Sequence, residues 1–348
     1  MRNQKTHTFK KPFITESGFC IAEPTIAYQT WGTLNKKRDN VVVICHALTA
    51  DTAAGQWFGG FFGAGKPIDP QRHFVICANA LGSCYGTSGP LSINPENGAA
   101  YRANFPKVTI RDMVRLEQRL LDVLQISNIE MVIGGSMGGM QALELCIIDS
   151  RPRSAIFIGM GKRHSPWAIG ISHAQRQAIY NDPNWNNGFY SEKKQPEKGL
   201  ALARIIAMNS YRHPVDFEKK FDRNRQEGGE QFQVESYLNY QGKKLAKRFD
   251  AVAYERLTRA MDSHDVARGR SSYKQVLGSI DIPTLVIGID SDLLYPAQEQ
   301  HELAKLLPNS RFRTLRSNHG HDAFLIEFEQ LNNIITPFLT ETPTSLAI

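Results

Sequence analysis

Gly134-Gly135-Ser136-Met137-Gly138 fits G-x-S-x-G, a spacing that turns a serine into a nucleophile when strand and helix flank it. Here the apolar run Met131-Val132-Ile133 precedes it, and a helical segment from Met140 through Ile148 follows. The chemistry needs that context. The serine at the apex takes a strained φ/ψ, and side chains on the flanking glycines would collide with the adjoining strand and helix. Its hydroxyl then stands above the sheet, at the positive end of a helix dipole that stabilises an oxyanion. The same string also occurs by chance, and a glycine-rich strand–helix turn also suits a phosphate. An acid and a histidine further along the chain decide between these readings.

Both follow, in the order Ser…Asp…His. Gly288-Ile289-Asp290-Ser291-Asp292-Leu293-Leu294-Tyr295-Pro296 comes directly after the apolar run Pro283–Ile289. Asp292, four residues before the proline that can start the next helix, is the candidate acid. Asp290 sits closer to the strand end and is expected to cap or brace the loop. Asn318-His319-Gly320-His321-Asp322 follows the run Arg311–Leu315. His321, after a glycine and at the start of a closing helix, is the candidate base, with His319 as the decoy. In this assignment His321 takes the proton of Ser136 and Asp292 holds the useful imidazole tautomer. The oxyanion hole uses the backbone N–H of Met137 and one from the loop after His46, assigned to Leu48. No carboxylate–histidine spacing of a metal site accompanies His319 and His321, so no metal is expected.

The elements that must hold these residues read in order along the chain. After a polar leader, Pro24–Gly32 reads as a strand ending in a turn. Asn40–His46 contains five successive apolar residues, the mark of a parallel strand buried on both faces. Residues 55–65 read as a glycine- and aromatic-rich loop, Phe74–Asn79 as a further strand, and 81–106 as a long loop. Ile110–Leu124 has apolar residues at helical spacing, and Ser154–Gly159 is the strand after the elbow helix. From about 160 to 279 strand-like runs vanish, and helical segments replace them at Ser172–Tyr180, Gly199–Tyr211, Phe232–Leu245 and Ala251–Met261. Pro283–Ile289, a helix over Ala297–Leu307, Arg311–Leu315 and an amphipathic helix from Asp322 to Phe338 resume the first pattern. The expectation is an α/β-hydrolase fold: a mostly parallel sheet with helices on both faces and an inserted helical lid. Its core spans 1–159 and 280–348, with the lid at 160–279.

With 41% hydrophobic and 22% charged residues, the 348-residue chain has the balance of an ordinary globular protein. No apolar run approaches the roughly 18 residues of a membrane helix, and the basic N-terminus lacks the apolar core of a secretory signal. Five scattered cysteines without C-x-x-C spacing point to free thiols in a reducing cytoplasm. The net charge of +7 carries no aromatic-interleaved basic stretch, so nucleic acid is not an expected partner. Lys243-Lys244 with Lys247-Arg248 is the densest basic cluster. It reads as a solvated helix face, with an anionic small-molecule cofactor as the second reading.

Taken together, His46-Ala47-Leu48-Thr49, Gly65–Asp69, Cys84-Tyr85-Gly86, Gly134–Gln141, Asp290–Leu293 and Gly320–Leu325 resemble the homoserine O-acetyltransferase family. The insertion matches too, at Gly199–Arg212, Tyr237–Gly242, Arg248-Phe249-Asp250 and Asp262–Gly269, so the resemblance covers nearly the whole chain. It implies acetyl transfer from acetyl-CoA, as co-substrate, to the hydroxyl of L-homoserine through an acyl-serine, a step of methionine synthesis. No permanently bound cofactor is implied. The resemblance also implies a homodimer joined through the lid, Arg204 on the acceptor carboxylate and Asp322 on its amino group. The chain departs from the family pattern at Ala50, where a glycine is usual. Gln56-Trp57-Phe58 stands near where Pro-Gly-Trp-Trp is usual, and Gly82-Ser83-Cys84 replaces Gly-Gly-Cys.

A serine esterase would share fold and triad, and serine or homoserine O-succinyltransferases would share the mechanism. A transferase must keep water from its acyl-enzyme, which suits a large lid, although lipases have lids too. A succinyl carboxylate would want a cation. No Lys or Arg lies between His46 and Gly65 or between Ala78 and Ala100, which favours acetyl.

Overall fold

The computed structural model describes residues 3–341; Met1, Arg2 and residues 342–348 of the segments just read lie outside it. In chain order the strands are β1 (Lys5–Thr8), β2 (Phe13–Ile14), β3 (Cys20–Ile21), β4 (Thr25–Trp31), β5 (Val41–Cys45), β6 (Phe74–Ala78), β7 (Ile129–Gly135), β8 (Ala155–Ile158), β9 (Thr284–Ile289) and β10 (Ser310–Leu315). Eight of them form one sheet in the order β1-β4-β6-β5-β7-β8-β9-β10, while β2 and β3 pair separately. From β6 to β10 neighbouring strands are parallel; β4 and β1 complete the sheet antiparallel.

The apolar runs explain this arrangement. Every residue of β5, β8 and β9 is buried, which requires cover on both faces. Successive side chains alternate between them: Val41, Val43 and Cys45 join one apolar cluster, and Val42 and Ile44 the other. The first face packs against α2 (Ile110–Val123) and α3 (Met137–Ile148), and the second against the short α1 (Ala54–Trp57) and α11 (Phe328–Glu341). Helix α2 starts at a capping box in which Thr109 and Asp112 satisfy each other's backbone N–H groups.

Between β8 and β9 the chain builds α4 (Pro166–Tyr180), α5 (Glu197–Tyr211), α6 (Pro214–Phe221), α7 (Gln233–Ala246), α8 (Ala251–Asp262) and α9 (Tyr273–Gly278). Helix α10 (Ala297–Leu306) then joins β9 to β10.

Three expectations need correction. The polar leader supplies β1, which pairs antiparallel with β4 and is largely exposed; a polar edge strand draws its order from its partner, not from an apolar face. The 55–65 stretch is not all loop, since α1 and a 3-10 turn at Gly59–Phe61 lie there. The closing helix does not begin at Asp322. Residues Gly320–Leu325 form a 3-10 turn, and α11 starts only at Phe328. Gly320 opens that turn at φ 64°, and Phe324 fills the space that a side chain on Gly135 would need. The tight turn thus serves the elbow.

Beneath the site, Glu117 of α2 is buried, with the Cys45 thiol 4.0 Å from its carboxylate. Burial, then the nearby Asp149, push its pKa up to about 8, and Arg151 offsets this only in part. An acid with a raised folded-state pKa binds more protons folded than unfolded, so stability falls as pH rises from the ordinary carboxyl range toward 8. Glu117→Gln is therefore expected to melt with the native protein near pH 4. At pH 8 it should be more stable by on the order of a few kcal/mol. Equal melting temperatures at pH 8 would contradict the assignment.

Candidate active site

The chain turns from β7 into α3 through a single residue, Ser136, at φ 56° and ψ −129°. This backbone conformation is costly for a residue with a side chain and is held by its surroundings. Ser136 N–H donates to Ile158 O on β8 at 2.9 Å, and Ser136 O accepts from Met140 N–H at 3.1 Å. The glycines allow the close approach. A side chain at Gly134 would run into the Gly138 carbonyl, and one at Gly138 into the Cys45 carbonyl of β5. Met137 is the first residue of α3, so its N–H has no acceptor within the helix.

Leu48, the other candidate oxyanion donor, is buried at the corner of a turn in which Ala50 N–H donates to Ala47 O at 3.0 Å. Such a turn leaves the N–H of its second residue pointing away from the closing bond. The loop is held from both sides. Gln141 Nε2 of α3 donates to His46 O at 3.1 Å. Ala80 N–H donates to His46 Nε2 at 2.9 Å, and His46 Nδ1 lies 2.8 Å from Ala47 O. Those partners place the ring proton on Nδ1. Burial pushes the His46 pKa down, which keeps the imidazole neutral.

Asp292 and His321 meet across the ends of β9 and β10. His321 Nδ1 and Asp292 Oδ2 are 2.6 Å apart, and both residues are buried. Asp292 Oδ1 accepts the N–H groups of Leu294 and Tyr295 at 2.8 and 2.9 Å. The imidazole stands among three rings, Tyr295, Phe324 and Tyr211, with centroids 5.3, 5.5 and 5.6 Å away. It lies against Gly159, the residue after the β8 carbonyl that binds the Ser136 N–H. Among the described residues none hydrogen-bonds the Ser136 hydroxyl. Burial alone would push the His321 pKa down; the Asp292 charge and hydrogen bond, helped by Asp322, outweigh it and raise it.

The two competitors point elsewhere. Asp290 Oδ1 accepts from Ser317 N–H at 3.0 Å and braces the loop. His319 Nδ1 lies 2.8 Å from Asp216 of the lid.

Arg204 and Asp322, the two residues expected at the acceptor, are linked to His321 through Tyr211 and through the chain respectively. The Arg204 guanidinium lies 5.3 Å above the Tyr211 ring centroid, and both Arg204 and Asp322 act electrostatically on Tyr211 and Tyr237. Arg212 is the residue that pairs with Asp322: its Nε is 3.2 Å from Oδ2, although the N–H is not aligned as a hydrogen bond. It also reaches Asp216 at 3.3 Å. Arg204 has no carboxylate within 4.0 Å among the described residues. Tyr211 went unread in the sequence, although it follows Arg204 by two helical turns and so shares its face.

Arg248 reaches the core loops beside the elbow, a contact the sequence does not announce. From the lid its Nη1 donates to Thr49 O at 2.7 Å and to the Tyr85 hydroxyl at 2.6 Å. The core loops lack cations of their own, but the lid delivers one to them, so that absence does not argue against a succinyl group.

Residues 40–328 match the model of the α/β hydrolase fold family. A homoserine O-acetyltransferase of Chloroherpeton thalassium is 50% identical over 336 residues, covering 96% of this chain and 89% of the relative. The chain belongs to the homoserine O-acetyltransferase family. A crystal structure of a homoserine O-acetyltransferase from Bacillus anthracis superimposes with a TM-score of 0.90 at 27% identity, covering 98% of this chain and 99% of that one. Esterase E22 superimposes almost equally well, with a TM-score of 0.89 at 28% identity over 97% and 99% of the two chains. The homoserine O-acetyltransferase fold is thus shared with an enzyme named for hydrolysis, and side chains must separate the two. Among the described residues no helix is long and apolar enough to cross a membrane, and no cluster of three or more His, Cys, Asp or Glu could hold a metal.

Proposed function

We propose that the enzyme moves an acetyl group from acetyl-CoA to the hydroxyl of L-homoserine by a ping-pong route through acyl-Ser136, in methionine synthesis in the cytoplasm. The observation that carries the acceptor half is the cation at Arg204, with no carboxylate within 4.0 Å among the described residues, set over Tyr211, whose ring stands against His321. The names of the close relatives support the acetyl group and the acceptor.

Chemistry follows from the placement. His321 Nε2 takes the Ser136 proton as the serine attacks the thioester, while Asp292 fixes the Nδ1 proton and stabilises the imidazolium. The N–H groups of Met137 and Leu48 receive the oxyanion, and the CoA thiolate leaves with the proton from His321. In the second half the same imidazole accepts the homoserine hydroxyl proton as that oxygen attacks the acyl carbonyl, and returns it to Ser136 Oγ as the acyl–serine bond breaks. A zwitterionic amino acid wants a guanidinium at its carboxylate and a carboxylate at its ammonium, and Arg204 and Asp322 supply them. Arg212 holds Asp322 until the ammonium arrives. A homodimer through the lid belongs to the same reading, supported by the exposed Leu202 on α5 and Tyr240 on α7.

Arg204→Ala and Asp322→Asn are expected to form acyl-enzyme from acetyl-CoA at close to the native rate. Both should lose about a hundredfold in kcat/KM for homoserine, as for a charged contact left unpaired. Mass spectrometry of the intact protein would show acyl-enzyme persisting after homoserine is added. Native transfer rate and KM in Arg204→Ala would move the assignment to Arg212. Hydrolysis is the second reading, favoured by the likeness to esterase E22. It predicts acetate release at the same rate with and without homoserine.

A further inference from the structure

The cluster Lys243, Lys244, Lys247 and Arg248 sits at the C-terminal end of α7, and all four residues are exposed. A helix C-terminus favours cations, so the residue types need no function. Their position does call for one. Arg248 Nη1 ties this end of the lid to Thr49 O and the Tyr85 hydroxyl. Thr49 adjoins Leu48, the candidate oxyanion donor, and Tyr85 lies on the loop after β6. Next along the chain, Phe249 is buried with its ring edge-on to Tyr85, centroids 5.5 Å apart, which fixes the arginine's root.

Both hydrogen bonds leave from one nitrogen of a five-donor fork, so the rest of the guanidinium is uncommitted. Lys244 lies on the last turn of α7 with its Nζ 5.9 Å from the Tyr240 ring centroid, and Lys247 caps the helix one residue before Arg248. No carboxylate lies within 4.0 Å of these four side chains among the described residues. The acidic groups nearby are few. Asp51, on the Thr49 loop, is felt at Tyr85, and Asp250 is buried and paired with Arg102 at 3.3 Å.

The geometry points to this basic end of α7 as the docking site for the phosphate groups of the acyl donor, with Arg248 at the rim and Lys244 and Lys247 outside it. The inference rests on the reading of the donor as a CoA thioester. In such a donor a neutral pantetheine arm separates the reacting thioester from the phosphates. Cations that hold the phosphates must then sit outside the catalytic centre, on a path that passes the oxyanion loop. Ammonium groups suit phosphates as point charges, and the arginine fork suits them in two-pronged contacts. The lid thereby carries both specificity elements, Arg204 for the acceptor and the α7 end for the donor.

The test compares acetyl-CoA with S-acetylpantetheine, which carries the thioester and the arm but no phosphate. In Lys244→Glu/Lys247→Glu, kcat/KM for acetyl-CoA should fall by about ten- to a hundredfold, chiefly through KM, since exposed charge contacts are each worth about two- to fivefold and reversal doubles the effect. S-acetylpantetheine should be used as by the native protein, within about twofold. Lys36→Glu/Lys37→Glu makes the same change in net charge just before β5, at the end of the sheet opposite the site, and should leave both donors unaffected. Added salt should raise the native KM for acetyl-CoA and leave that of the α7 variant nearly unchanged. An unchanged KM for acetyl-CoA in the α7 variant overturns the docking site, as does an equal loss with both donors, which would report a displaced lid. If acetyl-CoA fails to acylate the native protein, the donor reading falls and the docking site with it, a result plainly different from an acylated enzyme with an indifferent variant.

Discussion

Ser136→Ala is expected to fold as the native chain does and to take up no acetyl group from acetyl-CoA, with turnover lower by about four to six orders of magnitude. The substitution removes one oxygen and leaves the elbow intact, because alanine meets the same φ of 56° as serine and the flanking glycines still make room. The native protein mixed with acetyl-CoA alone should gain one acetyl mass on the peptide containing Ser136. With both substrates, double-reciprocal plots should be parallel. Intersecting lines together with an unmodified serine would rule out the acyl-serine route.

The second large effect separates the paired acid and histidine from their neighbours. Asp292→Asn should lower kcat by about three to four orders of magnitude. Asp292 Oδ1 already serves two backbone N–H groups, so the new amide would face His321 Nδ1. A donor there forces the ring proton onto Nε2 and leaves no acceptor for the serine proton. His321→Ala should be at least as damaging. Asp290→Asn and His319→Ala should stay within about tenfold of native, because they touch Ser317 N–H and the Asp216 carboxylate respectively. A dead Asp290→Asn would reverse the assignment.

Acid dependence gives the same test another readout. The base must be neutral to accept a proton, and its pKa is raised, so the acidic limb of acylation should lie above the 6.5 of an ordinary histidine. Asp322 is one of the groups that raise it, so Asp322→Asn should shift the limb to lower pH. A limb that stays in place would exclude that coupling.

The elbow turn and the loops that carry Asp292 and His321 were legible because their signals are local. The strained serine demands glycines at fixed offsets, and the loops after β9 and β10 announce themselves by ending apolar runs. What stayed hidden depends on segments far apart in sequence. Arg248 meets Thr49 across 199 positions, and no property of either stretch marks the contact. Asp322 was read with Arg204 in mind, yet the guanidinium beside it belongs to Arg212, because α5 ends just before that residue and turns its side chain down onto the core. Helices α6 and α9 are too short for their periodicity to stand out. The false start of the closing helix has a similar origin. An apolar pattern was present from Ala323 onward, but Phe324 is committed to the elbow rather than to a helical stripe.

The sheet's broken order also bears on how the chain is made. The nascent polypeptide leaves the sheet after Ile158 and returns only at Thr284, with the whole lid between. At common rates of synthesis that interval lasts roughly 6–25 s. Throughout it Ala155-Ile156-Phe157-Ile158 is the last strand of a sheet that still lacks β9 and β10, with β7 as its partner on one side and none yet made for the other. A bare apolar edge of this kind invites pairing with another chain until β9 is made. A chain that stops before Thr284 keeps that edge for good.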